Sequence, residues 1–299
     1  MLRRFTVVLL ASTVPACSIK KMAINSLGNA LAEGSSTFAS DPDPELVREA
    51  VPFGLKTTES LLEQSPRHEG LLYAAASGFT QYAFAFIQQD ADFVEAEDLA
   101  RATALRVRAK KLYLRARDYG IRGLEVDFPG FRERLTADPG KALAPMRKEH
   151  VRLLYWTAAP WAAAMSLAKE DSSLTADQYL TEAIMRRALA IDEGFDLGSI
   201  HDFFISYEAG RSSVGGSTEE ARRHFERAVA LAGGRRAWPY VSLAEGASVG
   251  AQDRKEFEKL LNEALAIDVD KAPDQRVANL IAQKRARWLL ARADELFIE

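Results

Sequence analysis

Apolar and polar positions alternate along most of the chain with the period of an α-helix. Apolar residues recur every three or four positions in long segments such as 45–65 (ELVREAVPFGLKTTESLLEQS) and 93–126 (FVEAEDLARATALRVRAKKLYLRARDYGIRGLEV). Runs that alternate at period two, as a half-buried β-strand requires, are absent from the pattern. The sequence therefore predicts an all-α protein of about ten to twelve helices.

Several helix starts carry capping signals. Asp43 followed by Pro44 is typical of a first helical turn. Ser217 and Glu220 form the S-x-x-E pattern of a capping box, and Asp253 precedes another apolar-periodic run. Pro52 lies inside the first long helix and predicts a kink or a break there.

Two segments predict buried helices. Residues 66–92 (PRHEGLLYAAASGFTQYAFAFIQQDAD) are apolar around most of the helix circumference, which is typical of a buried helix. Residues 145–168 include VRLLYWTAAPWAAAMSLA, which could be read as a membrane span. Arg152 near the start and Pro160 in the middle favour a buried core helix instead.

A weak internal repeat marks the second half of the chain. The segments EAIMRRALAID, RRHFERAVALA and KLLNEALAID place Ala188, Ala228 and Ala264 at equivalent points, 40 and 36 residues apart. Periods in this range indicate stacked helix pairs of the tetratricopeptide kind, whose repeats are about 34 residues long. An alanine at each of these points would let paired helices approach closely. We therefore expect an α-α superhelix of helix pairs.

The first 21 residues, MLRRFTVVLLASTVPACSIKK, have the layout of a secretory signal peptide. Two arginines are followed by an apolar run from Phe5 to Ala11, and small residues lead up to Cys17. The apolar run is too short to span a bilayer. The prediction is a signal peptide over residues 1–16.

Cys17 is the only cysteine of the chain. Cleavage after Ala16 would leave it as a free thiol at the new N-terminus, whereas the bacterial lipoprotein route would acylate it. A lone cysteine at this point of an exported chain favours lipidation. The sequence thus predicts a lipidated tether over residues 17–40, in which GSSTFAS (34–40) is a loop, and a single tetratricopeptide-like domain over residues 41–299.

The net charge of the chain and its lack of known catalytic motifs argue against several classes of function. The formal net charge is −3, and it becomes −5 once residues 1–16, with two arginines and no acid, are removed. This mildly acidic balance predicts neither a nucleic-acid-binding protein nor a basic membrane-binding face. The four histidines lack metal-ligand spacing, and no nucleophile, phosphate-loop or dinucleotide motif is present. We predict a protein that is not an enzyme, with no catalytic residue, metal or cofactor.

Gly215, Gly216 and Ser217 precede a predicted helix start. Such a loop could hold an anion, because helix N-termini favour negative charge. The simpler interpretation is a tight turn followed by a capping serine.

Two aromatic stretches are candidates for a ligand cleft. Aromatic rings and glutamine amides crowd the helix over residues 79–89, and tryptophans flank Pro160. An apolar pocket with a few polar groups is the usual form of a small-molecule site, although core packing would place aromatic residues in the same way. The candidate residues are Phe79, Gln81, Tyr82, Phe86, Gln88, Gln89, Trp156 and Trp161.

Long stretches of the chain resemble one family. The leader, NSLGNAL, FASDPDPELVREAVPFGLKTTESLL, GLLYAAASGFTQYAFAFIQQDAD, LYWTAAPWAAAMSLAK and GGSTEEARRHFERAVAL are similar to the T component (TatT) of tripartite ATP-independent periplasmic (TRAP) transporters. This resemblance implies a lipid-anchored periplasmic protein of tetratricopeptide-like helix pairs. It also implies a homo-oligomer, a trimer, with clefts that could take an apolar ligand. The implied partner is the transporter's periplasmic solute-binding subunit.

The leading hypothesis is therefore a TRAP accessory protein that docks the solute-binding subunit. Ser18, which is not the aspartate that commonly retains lipoproteins in the inner membrane, favours the outer membrane as its anchor point. One alternative is a periplasmic carrier of small hydrophobic ligands, based on the two aromatic stretches. Another is an envelope-assembly scaffold, since other tetratricopeptide lipoproteins serve there.

Overall fold

The computed structural model describes residues 35–211 and 215–298, together with Ser26, and this part of the chain is all-α without a strand. The leader, Cys17 and most of the predicted tether lie outside the described residues. The α-helices are α1 Ser35–Ala39, α2 Pro44–Gln64, α3 Glu69–Tyr82, α4 Gln89–Val94, α5 Leu99–Asp127, α6 Phe131–Ala137, α7 Pro139–Leu143, α8 Val151–Ser166, α9 Ser172–Thr175, α10 Gln178–Ile191, α11 Ser199–Ala209, α12 Thr218–Ala232, α13 Trp238–Leu243, α14 Arg254–Ala266, α15 Arg276–Ala291 and α16 Ala293–Leu296.

The predicted all-helical class is confirmed, with more helical segments than the ten to twelve expected. The excess comes from connections such as α7 and α9, which fold into one or two turns instead of loops. GSSTFAS was predicted as a loop, and this was wrong for its central part, which forms α1. Its position is fixed by a distant helix, because Arg276 Nη1 donates to the Ser40 carbonyl oxygen at 2.7 Å.

Capping residues begin the helices where the sequence predicts them. Asp43 Oδ1 accepts from the backbone N–H groups of Glu45 and Leu46 at 3.0 and 3.2 Å. Asp253 Oδ1 accepts from the Glu256 N–H at 2.9 Å, and so starts α14. These bonds satisfy donors that a helix leaves unpaired at its first turn. Pro52 does not break α2, which runs continuously from Pro44 to Gln64.

The N-terminal half is a bundle with the 29-residue α5 at its centre. Helix α3 packs on one side of α5 and α8 packs on another, while α2 packs on α3. Gly120 permits the close approach of α5 and α8, because a Cβ at this position would overlap the Thr157 side chain and lie 3.0 Å from the Thr157 Cα. The predicted core helix is thus α8, and it is largely buried. No helix among the described residues is both long enough and apolar enough to cross a membrane.

The C-terminal half packs as helix pairs, α8–α10, α11–α12 and α13–α14, with α15 against α14. Ala188, Ala228 and Ala264 lie on the second helix of successive pairs, and none of the three has any exposed surface. The equivalence of these alanines in the sequence is therefore an equivalence in packing. Each lies where two helices meet and a larger side chain would separate them.

Helix α15 returns to the start of the chain. Lys284 Nζ lies 3.6 Å from Glu45 Oε1, and Arg285 Nη1 donates to Asp92 Oδ2 at 2.7 Å. The ring of Trp238 contacts the ring of Phe84 at 4.9 Å between centroids and joins the hydrophobic cores of the two halves. The array is thus closed by contacts between its two ends.

Candidate functional site

Arginine occurs at every seventh residue of α5: Arg101, Arg108, Arg115 and Arg122. Seven residues are close to two full helical turns, so the four side chains lie in one row along the helix. All four are exposed, and Lys111 lies beside them. The row covers 21 residue steps, or about 32 Å at 1.5 Å per residue. We call these five residues the α5 arginine row.

Aromatic rings lie directly beneath the C-terminal part of the row. The Arg115 guanidinium is 5.1 Å from the ring centroid of Phe79, and the Arg122 guanidinium is 5.2 Å from that of Tyr119. The rings of Phe79 and Tyr119 are themselves stacked, with centroids 6.0 Å apart. A guanidinium over an aromatic face is held by cation–π attraction, which limits the positions that these arginines adopt.

The N-terminal part of the row continues over the same face of α3. Arg108 lies 5.9 Å from the ring centroid of Tyr82, and its Nη2 is 3.5 Å from the Tyr82 hydroxyl oxygen. Across α3, Arg48 of α2 lies 5.1 Å from the Phe86 ring centroid and forms a bidentate pair with Asp90 at 2.5 and 3.0 Å. Three of the predicted cleft residues, Phe79, Tyr82 and Phe86, are therefore buried under arginines.

Glu59 fixes the relative position of α2 and α5. Its Oε1 lies 3.0 Å from Arg115 Nε and accepts from the Tyr119 hydroxyl at 2.7 Å. Burial alone would raise the pKa of Glu59, but hydrogen bonds from Lys56 and Tyr119 and the charge of Arg115 lower it below its usual value. Burial, together with the donated hydrogen bond, raises the pKa of Tyr119 to about 12. Glu59 is thus a charged group that holds Arg115 in place.

The other cations of the row have no acidic partner within the described residues. The cations of α5 that pair with acidic residues elsewhere in the described fold are Arg106, Lys110 and Arg115. In contrast, Arg122 donates only to a backbone carbonyl, that of Pro66, at 3.2 Å. Arg101, Arg108, Lys111 and Arg122 therefore present positive charge that no ion pair among the described residues offsets. The surface around them includes an open depression of about 430 Å³ lined by Lys111, Leu114, Arg115, Asp118, Tyr119 and Arg122.

The three candidate glutamines lie in different surroundings. Gln81 is exposed, and its amide donates to the Ser77 carbonyl oxygen at 3.3 Å. Gln88 Oε1 accepts from the Tyr113 hydroxyl at 2.6 Å. Gln89 is buried and accepts from Arg285 Nη1 at 3.3 Å. Gln88 and Gln89 therefore satisfy polar groups in the interior, one toward α5 and the other toward α15.

The two candidate tryptophans of α8 contact different neighbours. Trp161 is buried beneath Arg117 of α5, 5.1 Å from its guanidinium, and its Nε1 has no hydrogen-bond partner among the described residues. Trp156 packs edge-on against Tyr155 with centroids 4.9 Å apart. The structure thus gathers Phe79, Tyr82 and Phe86 in one row and gives the tryptophans separate contacts.

A second polar cluster lies at the start of α11, where the sequence signals no site. Asp196, Leu197 and Gly198 all have positive φ angles, 43°, 56° and 89°. Close by, Asp202 Oδ2 lies 2.5 Å from Arg236 Nη2, and this pair is nearly enclosed. Burial raises the pKa of Asp202 to about 6. The cluster joins α11 to the segment before α13 and is most simply a structural ion pair.

A histidine pair joins α11 to α12. His201 Nδ1 and His224 Nδ1 are 2.8 Å apart, so one ring donates and the other accepts. Burial lowers the pKa of both rings, and the neighbouring His201 contributes to lowering that of His224 to about 4. The pair is therefore uncharged near neutral pH.

The predicted glycine loop before α12 has its own internal acceptor. Ser217 Oγ caps the helix by accepting from the Glu220 N–H at 3.2 Å. The Ser217 N–H donates to Glu208 Oε2 at 3.3 Å, and the Gly216 N–H donates to the Arg211 carbonyl oxygen at 2.8 Å. A carboxylate of the chain therefore occupies part of this helix N-terminus, in agreement with the turn-and-cap interpretation.

Comparisons with known proteins agree with this architecture. The family described as TRAP transporter T-component matches residues 40–297, which is nearly all of the described chain. A protein of Treponema pallidum (strain Nichols), described as uncharacterized, is 30% identical over 302 residues, covering 95% of this chain and 94% of the relative. The T-component family is an accessory part of a transport system and is not a known enzyme class. The chain belongs to the TRAP transporter T-component family.

Proposed function

We propose that this protein is the accessory component of a TRAP transport system that docks the extracytoplasmic solute-binding subunit. The observation that carries this proposal is the family match over residues 40–297, on a fold made of packed helix pairs. Helix-pair arrays expose extended surfaces suited to binding another protein. The proposed role requires binding and no chemical step, in keeping with the sequence prediction of no catalytic residue.

The proposal places the protein in the periplasm, held by a lipid on Cys17 after removal of residues 1–16. A tether raises the local concentration of the protein near membrane-bound transporter subunits. Outer-membrane attachment is the proposed location because Ser18 follows the cysteine. A Cys17→Ala variant should leave the membrane fraction of the native host, and its continued membrane association would contradict lipid anchoring.

Binding to the solute-binding subunit of the same transporter tests the proposed role. Purified full-length mature protein and purified subunit should form a complex that isothermal titration calorimetry detects, with and without transported solute. Sedimentation velocity on the same samples reports the oligomeric state, for which we propose a trimer. A lack of association at subunit concentrations up to several hundred micromolar would overturn the docking role.

A second candidate function is transport or storage of a small hydrophobic ligand, favoured by the aromatic row of Phe79, Tyr82 and Phe86. Native mass spectrometry of protein purified from its own host should then show a bound apolar molecule. Phe86→Ala and Trp156→Ala variants should lose it while remaining folded. Ligand-free spectra from the wild type would remove this function. A gene neighbourhood without transporter genes would favour the third reading, an envelope scaffold.

A further inference from the structure

We propose that the α5 arginine row is the docking face for the solute-binding subunit, and that it binds an acidic surface of that partner. This inference rests on the proposed function and adds the contact surface and its chemistry. It concerns the row defined above, with Arg101, Arg108, Lys111 and Arg122 as the binding cations and Arg115 as a fixed member held by Glu59.

The row concentrates unpaired positive charge along one helix of a chain that is acidic overall. The whole chain carries a formal net charge of −3, yet these four cations face solvent without an acidic partner in the part of the chain that the structure describes. Like charges in one row repel each other and add nothing to the stability of the monomer. A complementary acidic surface would remove that repulsion on binding and would speed association by electrostatic steering.

Aromatic rings beneath the row hold three of its arginines in position before a partner binds. Arg108 and Arg122 lie over Tyr82 and Tyr119, and Arg115 between them lies over Phe79. Contact with a ring restricts a long side chain before any partner arrives, so less conformational entropy is lost on binding. Arginine also offers a planar fork that matches carboxylates bidentately, which lysine does not.

The dimensions favour a protein over a small anion or a lipid surface. Successive arginines are separated by seven residues, or about 10.5 Å along the helix axis, and the complete row spans about 32 Å. A single small carboxylate could contact at most two neighbouring arginines of the row. Lipid headgroups are mobile, so binding them would not require arginines held at a fixed spacing over aromatic rings. The negative charge of the rest of the chain would also repel an anionic membrane leaflet.

The test replaces the three arginines that have no acidic partner, in the variant R101E/R108E/R122E. Arg115 is left in place because Glu59 depends on it. The matched control is K169E/K255E/R287E, which changes the formal charge by the same amount at exposed residues that also lack an acidic partner among the described residues. Both full-length mature variants are checked by circular dichroism and thermal melting. R101Q/R108Q/R122Q replaces the first variant if charge reversal prevents folding.

Affinity for the solute-binding subunit is measured at about 50 and 300 mM salt. We expect the row variant to bind at least about 30-fold more weakly at low salt and to lose most of the salt dependence, with the control within about threefold of wild type. The neutral glutamine variant should fall between them. Binding of the row variant equal to the control would overturn the proposed face and leave the docking role intact.

Two further outcomes distinguish a failure of the docking role from a failure of the proposed docking face. If the wild type does not bind the subunit at either salt concentration, both the docking role and this inference fail. If the subunit binds all variants equally while vesicles with 30% anionic lipid bind only the wild type and the control, the row is a lipid-binding face and the inference is overturned.

Discussion

The N-terminal helices α2–α8 and the C-terminal helices α10–α15 bury apolar surface in different ways. The C-terminal half repeats one solution, in which a fully buried alanine on the second helix of each pair lets the neighbouring helices approach closely. The N-terminal half instead wraps several helices around α5 and uses Gly120 for its closest approach to α8. The less regular half also carries the α5 arginine row. The regularly packed C-terminal half thus serves mainly as a scaffold, whereas the irregularly packed N-terminal half carries the distinctive surface.

The largest expected effect comes from separating the two halves. Arg285 donates to Gln89 and Asp92 of α4 and pairs with Glu245, so Arg285→Ala leaves the buried Gln89 carbonyl oxygen without its donor and removes a cation from Asp92 and Glu245. We expect a loss of about 3 kcal/mol in the free energy of unfolding. Urea titration measures it, with Arg287→Ala, exposed on the same helix, as the control. A change below about 0.5 kcal/mol would show that the halves do not depend on this contact.

The next effect tests the N-terminal packing. Gly120→Val should cost about 2–3 kcal/mol, because the added carbons overlap Thr157 and push α8 away from α5. Gly54→Ala in α2 is the matched control, since a Cβ there has no heavy atom within 4 Å. This control should be neutral or more stable by up to about 1 kcal/mol, because alanine favours helix over glycine. Equal melting temperatures for both variants would contradict the close approach.

A smaller effect is expected from the C-terminal repeat. Ala228→Leu should destabilise the fold by about 1–2 kcal/mol through overpacking between helix pairs. Ala230→Leu lies on the exposed side of α12 and should change stability by less than about 0.5 kcal/mol. If both substitutions are tolerated equally, the buried alanines are not what sets the spacing of these pairs.

A further effect is a pH dependence that arises at the histidine pair between α11 and α12. The pKa of His224 is about 4 in the folded protein and near 6.5 when unfolded, so the unfolded chain binds more protons between these values. Stability due to this residue is therefore lost as the pH falls from about 6.5 to about 4. His224→Gln should reduce this decline relative to wild type in urea titrations at several pH values. Identical pH profiles would mean that the histidine pair does not control acid stability.

Local features of the fold could be predicted from the sequence. Asp43 and Asp253 begin helices because a side-chain oxygen can reach the nearby N–H groups of the first turn, and Ala188 and Ala264 repeat because the same helix contact recurs. These signals involve neighbouring residues or a fixed period. The sequence alone was therefore sufficient for the helical class and for the recurring buried alanines.

The candidate site was less accessible to sequence reasoning. The seven-residue spacing of Arg101, Arg108, Arg115 and Arg122 is visible in the sequence, but spacing alone does not distinguish a binding surface from a solvated helix face. Its meaning depends on Phe79 and Tyr82 lying beneath the row, which requires α3 and α5 to be placed. Arg285 and Asp92 are 193 residues apart, and no local pattern encodes their contact.

The contact between the last helices and the first also limits how the architecture can evolve. A repeat array with two open ends can gain length by duplicating one helix pair, because the new pair needs only its neighbours. Here an inserted pair would carry α15 away from α4 and leave Gln89 and Asp92 without Arg285. The number of pairs is therefore fixed by the need for the two ends to meet, so new surfaces must arise by changing existing helices rather than by adding more.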